Sequence, residues 1–161
     1  MTLSLLSRLC LVAIVSVAIF LLQSCSENQT PENLALDFIE RAETAVQERN
    51  IRVLRTLIST DYKDPEGRSS RDILAIASAY IMRSKSIHVL LRLHSASQVE
   101  DGIQAKVLVA LAARPIEDPA LLPRLNADIY WFDIVLKKRD GDWKLLSAVW
   151  HQAMVDDFMT N

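Results

Sequence analysis

"YWFDIVLKKRDGDWKLLSAVWHQ", residues 130–152, carries the clearest structural instruction in the chain. Asp140-Gly141 is the dipeptide best suited to a two-residue hairpin turn, because such a turn needs residues that accept a positive φ. Pairing Arg139 with Asp142 across it sends alternate residues to opposite faces. Tyr130, Phe132, Ile134 and Leu136 then share a face with Trp143, Leu145, Ser147, Val149 and His151. Trp131, Asp133, Lys137, Lys144 and Trp150 fall on the other face. The first set is apolar enough to be core, so the segment reads as a long antiparallel hairpin with Tyr130 directly opposite His151.

Upstream lies a second alternating region. Ile87, Val89, Leu91 and Leu93 alternate with His88, Leu90, Arg92 and His94, and Ile103, Ala105, Val107, Val109 and Leu111 form the next set. A two-residue loop at Asp101-Gly102 sets Glu100 opposite Ile103 and splits the apolar faces. A three-residue loop, Glu100-Asp101-Gly102, pairs Val99 with Ile103, Leu93 with Val109 and Leu91 with Leu111. That register unites the faces and puts Gly102 in a left-handed position, so it is the one expected. "RPIEDPALLPRLN", residues 114–126, has three prolines and reads as a long loop crossing the sheet edge.

Before the strands the period is helical. Thr30-Pro31-Glu32 supplies a capping hydroxyl, a first-turn proline and an acid at the positive dipole end. Leu34, Phe38, Ala42 and Ala45 follow at helical spacing. Ile51, Leu54, Leu57 and Ile58 mark a second helix near residues 50–59. "DYKDPEGRSS", residues 61–70, interrupts the pattern, and Ser69 or Ser70 caps a third helix facing inward with Ile73, Leu74, Ala77, Tyr80 and Ile81. Three N-terminal helices packed on about four long antiparallel strands make an α+β domain over residues 31–153, leaving 154–161 as a C-terminal tail.

Residues 1–24 are of a different kind. Arg8 is the only charged side chain before Glu27, and Leu9 to Leu22 is apolar except for Ser16. Fourteen helical residues reach about 21 Å, short of the roughly 30 Å hydrocarbon core, so the run reads as a signal-peptide core. A tilted or extended anchor is the competing reading. Leu22-Gln23-Ser24-Cys25 resembles a bacterial lipobox, although Gln23 departs from the smaller residue usual there. The resemblance implies lipid attachment to Cys25, cleavage before it, and a lipidated tether over residues 25–30. Ser26, standing where Asp would retain a lipoprotein at the inner membrane, implies the periplasmic face of the outer membrane. A Cys10–Cys25 disulfide or a free thiol is the plainer account of the two cysteines, but processing would discard Cys10 and leave nothing to bridge.

Half of the 161 residues are hydrophobic, enough for one domain, and the formal net charge is −2. The 18 basic residues are scattered among 20 acids, which argues against a nucleic-acid partner. There is no phosphate-binding glycine loop, no zinc spacing and no nucleophile elbow, so neither a metal nor another cofactor is expected.

The element order resembles the nuclear-transport-factor-2-like superfamily, which includes the SnoaL-like domains: a curved sheet wrapped on helices to form a cone with a pocket. The resemblance rests on that order, on "TDYKDPEG" (60–67) between the second and third helices, and on "DGDWKLLSAVWHQ" (140–152) as a terminal strand. A cystatin-like or other helix-on-sheet domain fits the same pattern. The superfamily contains enzymes, ligand binders and assembly modules, so the fold leaves function open. Tyr62, Tyr130, Phe132, Trp143 and His151 are the pocket candidates. Tyr130 with His151 is the pair to test for acid–base chemistry, against a structural pair at the rim. Asp61, Tyr62 and Asp64 read as an ordinary turn. No residue matches a catalytic motif of the family. The expected function is a lipid-anchored envelope protein, non-enzymatic, binding a small apolar ligand or a protein partner. The alternatives are a small hydrolase, isomerase or dehydratase, and an assembly module dimerising through its sheet.

Overall fold

The structure, a computed structural model, describes residues 29–159. The segment expected to be a signal peptide, Cys10, Cys25 and most of the expected tether lie outside the described residues. Helix α1 spans Pro31–Gln47, α2 Ile51–Leu57 and α3 Ser70–Arg83. Strand β1 (His88–Val99) and β2 (Gly102–Ala112) follow, then a 3-10 turn at Pro119–Leu121 and the short α4 (Leu122–Leu125). Strands β3 (Asp128–Arg139) and β4 (Asp142–Gln152) precede a last short helix, α5 (Asp156–Met159). The sheet is a four-stranded antiparallel meander in the order β1-β2-β3-β4. The α+β class holds. The helical complement is larger than the three N-terminal helices expected, because the proline-rich connection and the C-terminal segment also form helical turns.

The caps follow the local chemistry. Thr30 accepts from the Asn33 amide at the start of α1. Ser69 and Asp72 form a reciprocal capping box on α3, with Ser69 accepting the Asp72 amide and Asp72 accepting the Ser69 amide. Asp140 and Gly141 both have positive φ, and Arg139 pairs with Asp142 as expected.

Beyond the turns, the expected registers change. Near its turn the first hairpin pairs Val99 with Gly102 and Gln98 with Ile103; a bulge at His94 then shifts it so that Leu93 meets Val107, Leu91 meets Val109 and Val89 meets Leu111. The loop is Glu100-Asp101, not three residues, and the bulge rather than the loop unites the apolar faces. Gly102 is not left-handed either. Its requirement is space: a Cβ there would lie 2.0 Å from the Leu136 carbonyl oxygen on β3. A second bulge, at Leu146 on β4, moves the register by one beyond Val135. Phe132 therefore meets Trp150, Trp131 meets His151, and Tyr130 meets Gln152. Tyr130 and His151 are not opposite each other, and Trp131 and Trp150 lie on different faces.

One face of the sheet packs under α1 and α2 through Ala35, Phe38, Ile39, Leu57, Ile103, Ala105, Val107 and Leu136. At the end where β1 begins, Ala45, Leu54, Ile81 and Ile87 close the same layer. The reverse face carries its own cluster of Leu108, Ala110, Leu122, Ile129 and Phe158. The proline-rich connection is thus a cover with Leu122 buried beneath it. Residues 154–159 are part of the domain and not a tail, since Phe158 is 2% exposed.

Candidate functional site

The inner layer is not filled. Between α1, α2, α3 and the sheet lies a cavity of about 390 Å³, within the ordinary range of small-molecule sites. Its floor is β2 and β3, through Val107, Val109, Phe132 and Ile134; Val89 and Leu91 add to it from β1, and Leu145, Ala148 and Trp150 from β4. The roof is Phe38, Ile39 and Val46 of α1 with Ile73, Ile76, Ala77 and Ile81 of α3. Helix α3 explains the void. Of its 14 residues only Ile81 is buried, and Ile76 is 44% exposed although it faces the cavity. An apolar helix face stands over space instead of over side chains.

Four lining side chains carry polar groups: Glu43, Tyr80, Tyr130 and, through its indole N–H, Trp150. The three that carry oxygen, Glu43, Tyr80 and Tyr130, sit toward the end of the sheet where β1 and β3 begin, beside Val46, Val89 and Leu111. The Tyr80 hydroxyl donates to Asp128 Oδ2 at 2.8 Å. Burial, that hydrogen bond and the Asp128 charge push the Tyr80 phenol well above its ordinary range. Glu43 accepts from Gln47 Nε2 at 3.0 Å, and burial with the neighbouring Glu40 raises its carboxyl above the usual carboxylate value. The Tyr130 hydroxyl makes no hydrogen bond among the described residues; its ring meets Phe132 edge-on at 6.3 Å.

The other sequence candidates are placed as follows. Phe132 lines the cavity floor and stacks on Trp150 at 6.0 Å. Tyr62 is 3% exposed, packs in the inner core and does not line the cavity, donating to Asp64 Oδ2 at 3.2 Å; burial and the Asp64 charge push its phenol up to about 12. Trp143 is half-buried near the β3–β4 turn and does not line the cavity. His151 is exposed on the reverse face. The bulge at Leu146 removes the acid–base pair that a uniform register would have made. Of the lysines that the sequence register puts on the face of Asp133, Lys137 pairs with Asp101 at 2.6 Å and Lys144 with Asp140 at 3.4 Å.

The turn at residues 61–70 is an organised brace. Asp64 accepts from the Glu66 and Arg68 amides, from Tyr62, and from Arg68 Nε at 2.6 Å. Burial alone would raise the Asp64 carboxyl, but the Arg68 guanidinium and amide outweigh it and hold the group below its ordinary range. Arg68 in turn lies 4.1 Å over the Trp150 ring, tying the turn to the cavity wall.

Sequence reading missed Glu43. Its signal was present, since Ile39, Ala42, Glu43 and Val46 form one helical stripe in which a carboxylate is out of place. Among the described residues no group of three or more His, Cys, Asp or Glu is placed to hold a metal, and no helix is long and apolar enough to cross a membrane.

A helical layer over one face of a four-stranded meander, with a hollow apolar interior, defines a small α+β pocket domain. Solved structures of the nuclear-transport-factor-2-like fold are similar to it. One from Cytophaga hutchinsonii has a TM-score of 0.57 at 17% identity, covering 78% of this chain and 100% of that one. A provisionally named dehydratase of the same family from Streptomyces avermitilis gives 0.60 at 14% identity, covering 78% and 99%. Bdellovibrio bacteriovorus Bd1075 gives 0.58 at 16% identity over 74% of this chain, which spans 40% of that protein's length. No protein-family model and no curated protein matches the sequence. The fold is therefore nuclear-transport-factor-2-like, and at such identities the likeness speaks to the fold alone.

Proposed function

We propose that this protein is a lipid-anchored domain of the bacterial envelope that binds a small apolar ligand between its helices and its sheet. The observation that carries the binding reading is the cavity itself: about 390 Å³ walled by aliphatic and aromatic side chains, with no histidine, cysteine, lysine or arginine in its lining. Such walls favour burial of apolar surface and supply few groups for proton transfer. Native mass spectrometry of the full chain released from nanodiscs tests it. A bound mass that vanishes on denaturation is expected; a bare chain that also gains no thermal stability with apolar probes would overturn the reading.

Anchoring and location rest on sequence: the apolar run Leu9–Leu22 followed by Leu22-Gln23-Ser24-Cys25, with Ser26 next. Two or three acyl chains on Cys25 would exceed what stable membrane attachment needs. Labelled fatty acid should appear on the wild-type chain and be absent from Cys25→Ala, and fractionation should place the labelled protein in the outer membrane.

A second reading is favoured by one group. Glu43 is the single carboxylate on an apolar wall, and its raised pKa suits a general base. The provisional dehydratase name of one similar structure points the same way. Turnover of a substrate lost in Glu43→Gln, with folding retained, would establish it.

A further inference from the structure

We infer that the ligand is an uncharged amphiphile with a hydroxyl head, held at the Tyr80–Tyr130 end of the cavity, and that the site rejects the carboxylate of the same chain length. This rests on the binding reading above and specifies its ligand class.

The oxygen-bearing side chains are gathered at one end of the cavity, and the only other polar group of the lining is the Trp150 indole N–H, so an amphiphile has one favoured orientation: tail toward Leu57, Ile134 and Leu145, head toward Tyr80, Tyr130 and Glu43. The hydrogen-bond inventory there decides the head. Tyr80 commits its proton to Asp128, which leaves its oxygen as an acceptor. The Tyr130 hydroxyl has no hydrogen-bond partner among the described residues and lines the cavity, so it can donate to a ligand. The two phenols are neighbours, since Asp128, the Tyr80 partner, lies two residues before Tyr130 on the same face of β3 and both tyrosines line the cavity. A ligand hydroxyl takes the Tyr130 proton on its oxygen and gives its own proton to the Tyr80 oxygen, so donors and acceptors balance.

A carboxylate cannot balance. It has no proton for the Tyr80 oxygen, and Glu43, the one charged residue among the 24 that line the cavity, repels it. The cations at this end are outside the lining. Arg49 spends its guanidinium on the Ser84 and Lys85 carbonyls, and Arg83 Nε is held by the Ala79 carbonyl. Asp128, beside Tyr80, adds a second negative charge. A volume of about 390 Å³ holds roughly a dozen non-hydrogen atoms if each takes about the 30 Å³ of a liquid water, which matches a medium-chain alcohol.

The test uses the full chain in lipid nanodiscs near neutral pH, with amide hydrogen exchange over α3 as a readout that bilayer partition does not mimic. 1-Decanol and decanoate are compared at matched free concentrations. Decanol should slow exchange in residues 70–83 at a concentration about tenfold lower than decanoate needs. Tyr130→Phe, which keeps the ring contacts, should raise the decanol requirement about fivefold, the loss of one hydrogen bond. Glu43→Gln should narrow the gap between the two probes. Decanoate protecting as well as decanol would overturn the hydroxyl-head inference while leaving the pocket a binding site. If neither probe protects α3, the binding reading falls with it.

Discussion

Asp64 accepts four hydrogen bonds from within seven residues of chain, and its loss leaves the Tyr62 phenol, two amides and a guanidinium without their acceptor. Asp64→Ala should lower the melting temperature clearly more than Asp61→Ala, whose exposed pair with Arg139 is 3.3 Å long. The same carboxyl sets a pH dependence. Its folded pKa lies below the ordinary 3.8, so its contribution is complete above that value and is lost as pH falls through the lower folded one. Urea midpoints followed from neutral into acid should show this loss in the wild type, and Asp64→Asn should flatten that part of the curve. Gly102 makes a steric case. Gly102→Ala drives a Cβ into the Leu136 carbonyl, which should cost on the order of 1–3 kcal/mol by denaturant unfolding. The sequence showed that a glycine was needed at 102 but suggested dihedral freedom as the reason, because the close approach of β3 is a tertiary fact.

Both hairpins show why elements were legible and registers were not. The Asp140-Gly141 turn is local chemistry, and its first pairings were readable. A bulge adds one residue and exchanges the two faces beyond it, so an error at Leu146 carried through to His151. The trace was there: Trp143 and Leu145 face inward at odd positions, whereas Ala148 and Trp150 do so at even ones. Ser147 and His151 made poor core residues under the uniform register for the same reason. Deleting Leu146 removes the extra residue but leaves Val135 opposite Ser147 and Phe132 opposite Trp150, so Trp150 should stay on Phe132 and Arg68 and the near-ultraviolet circular dichroism of the packed tryptophans should be retained. Loss of that spectrum would show that Leu146 is not the extra residue that sets the face.

At the scale of the molecule, the two sides of the sheet are built differently. The reverse side is packed, and Phe158→Ala there should cost about 3–5 kcal/mol. The inner side is hollow, so filling it should help: Ala77→Leu is expected to add about 0.5–2 kcal/mol while abolishing protection of α3 by decanol. Composition and periodicity named the layers that enclose the cavity, and Tyr130 and Phe132 could be assigned to the inner face. The void could not be read, since the pattern of an apolar helix face is the same whether it meets side chains or empty space. One further property follows from residues 58–63. Ile58 bridges Leu145, and the Ser59 and Lys63 amides donate to the Leu145 and Leu146 carbonyls along the outer border of β4. A meander leaves both flanking strands with unmatched main-chain groups, the template on which chains propagate into fibrils. By occupying that border near the bulge, the loop acts as a covalently attached guard against self-templated polymerisation. Loosening its brace at Asp64 would favour the first step of amyloid growth as well as unfolding.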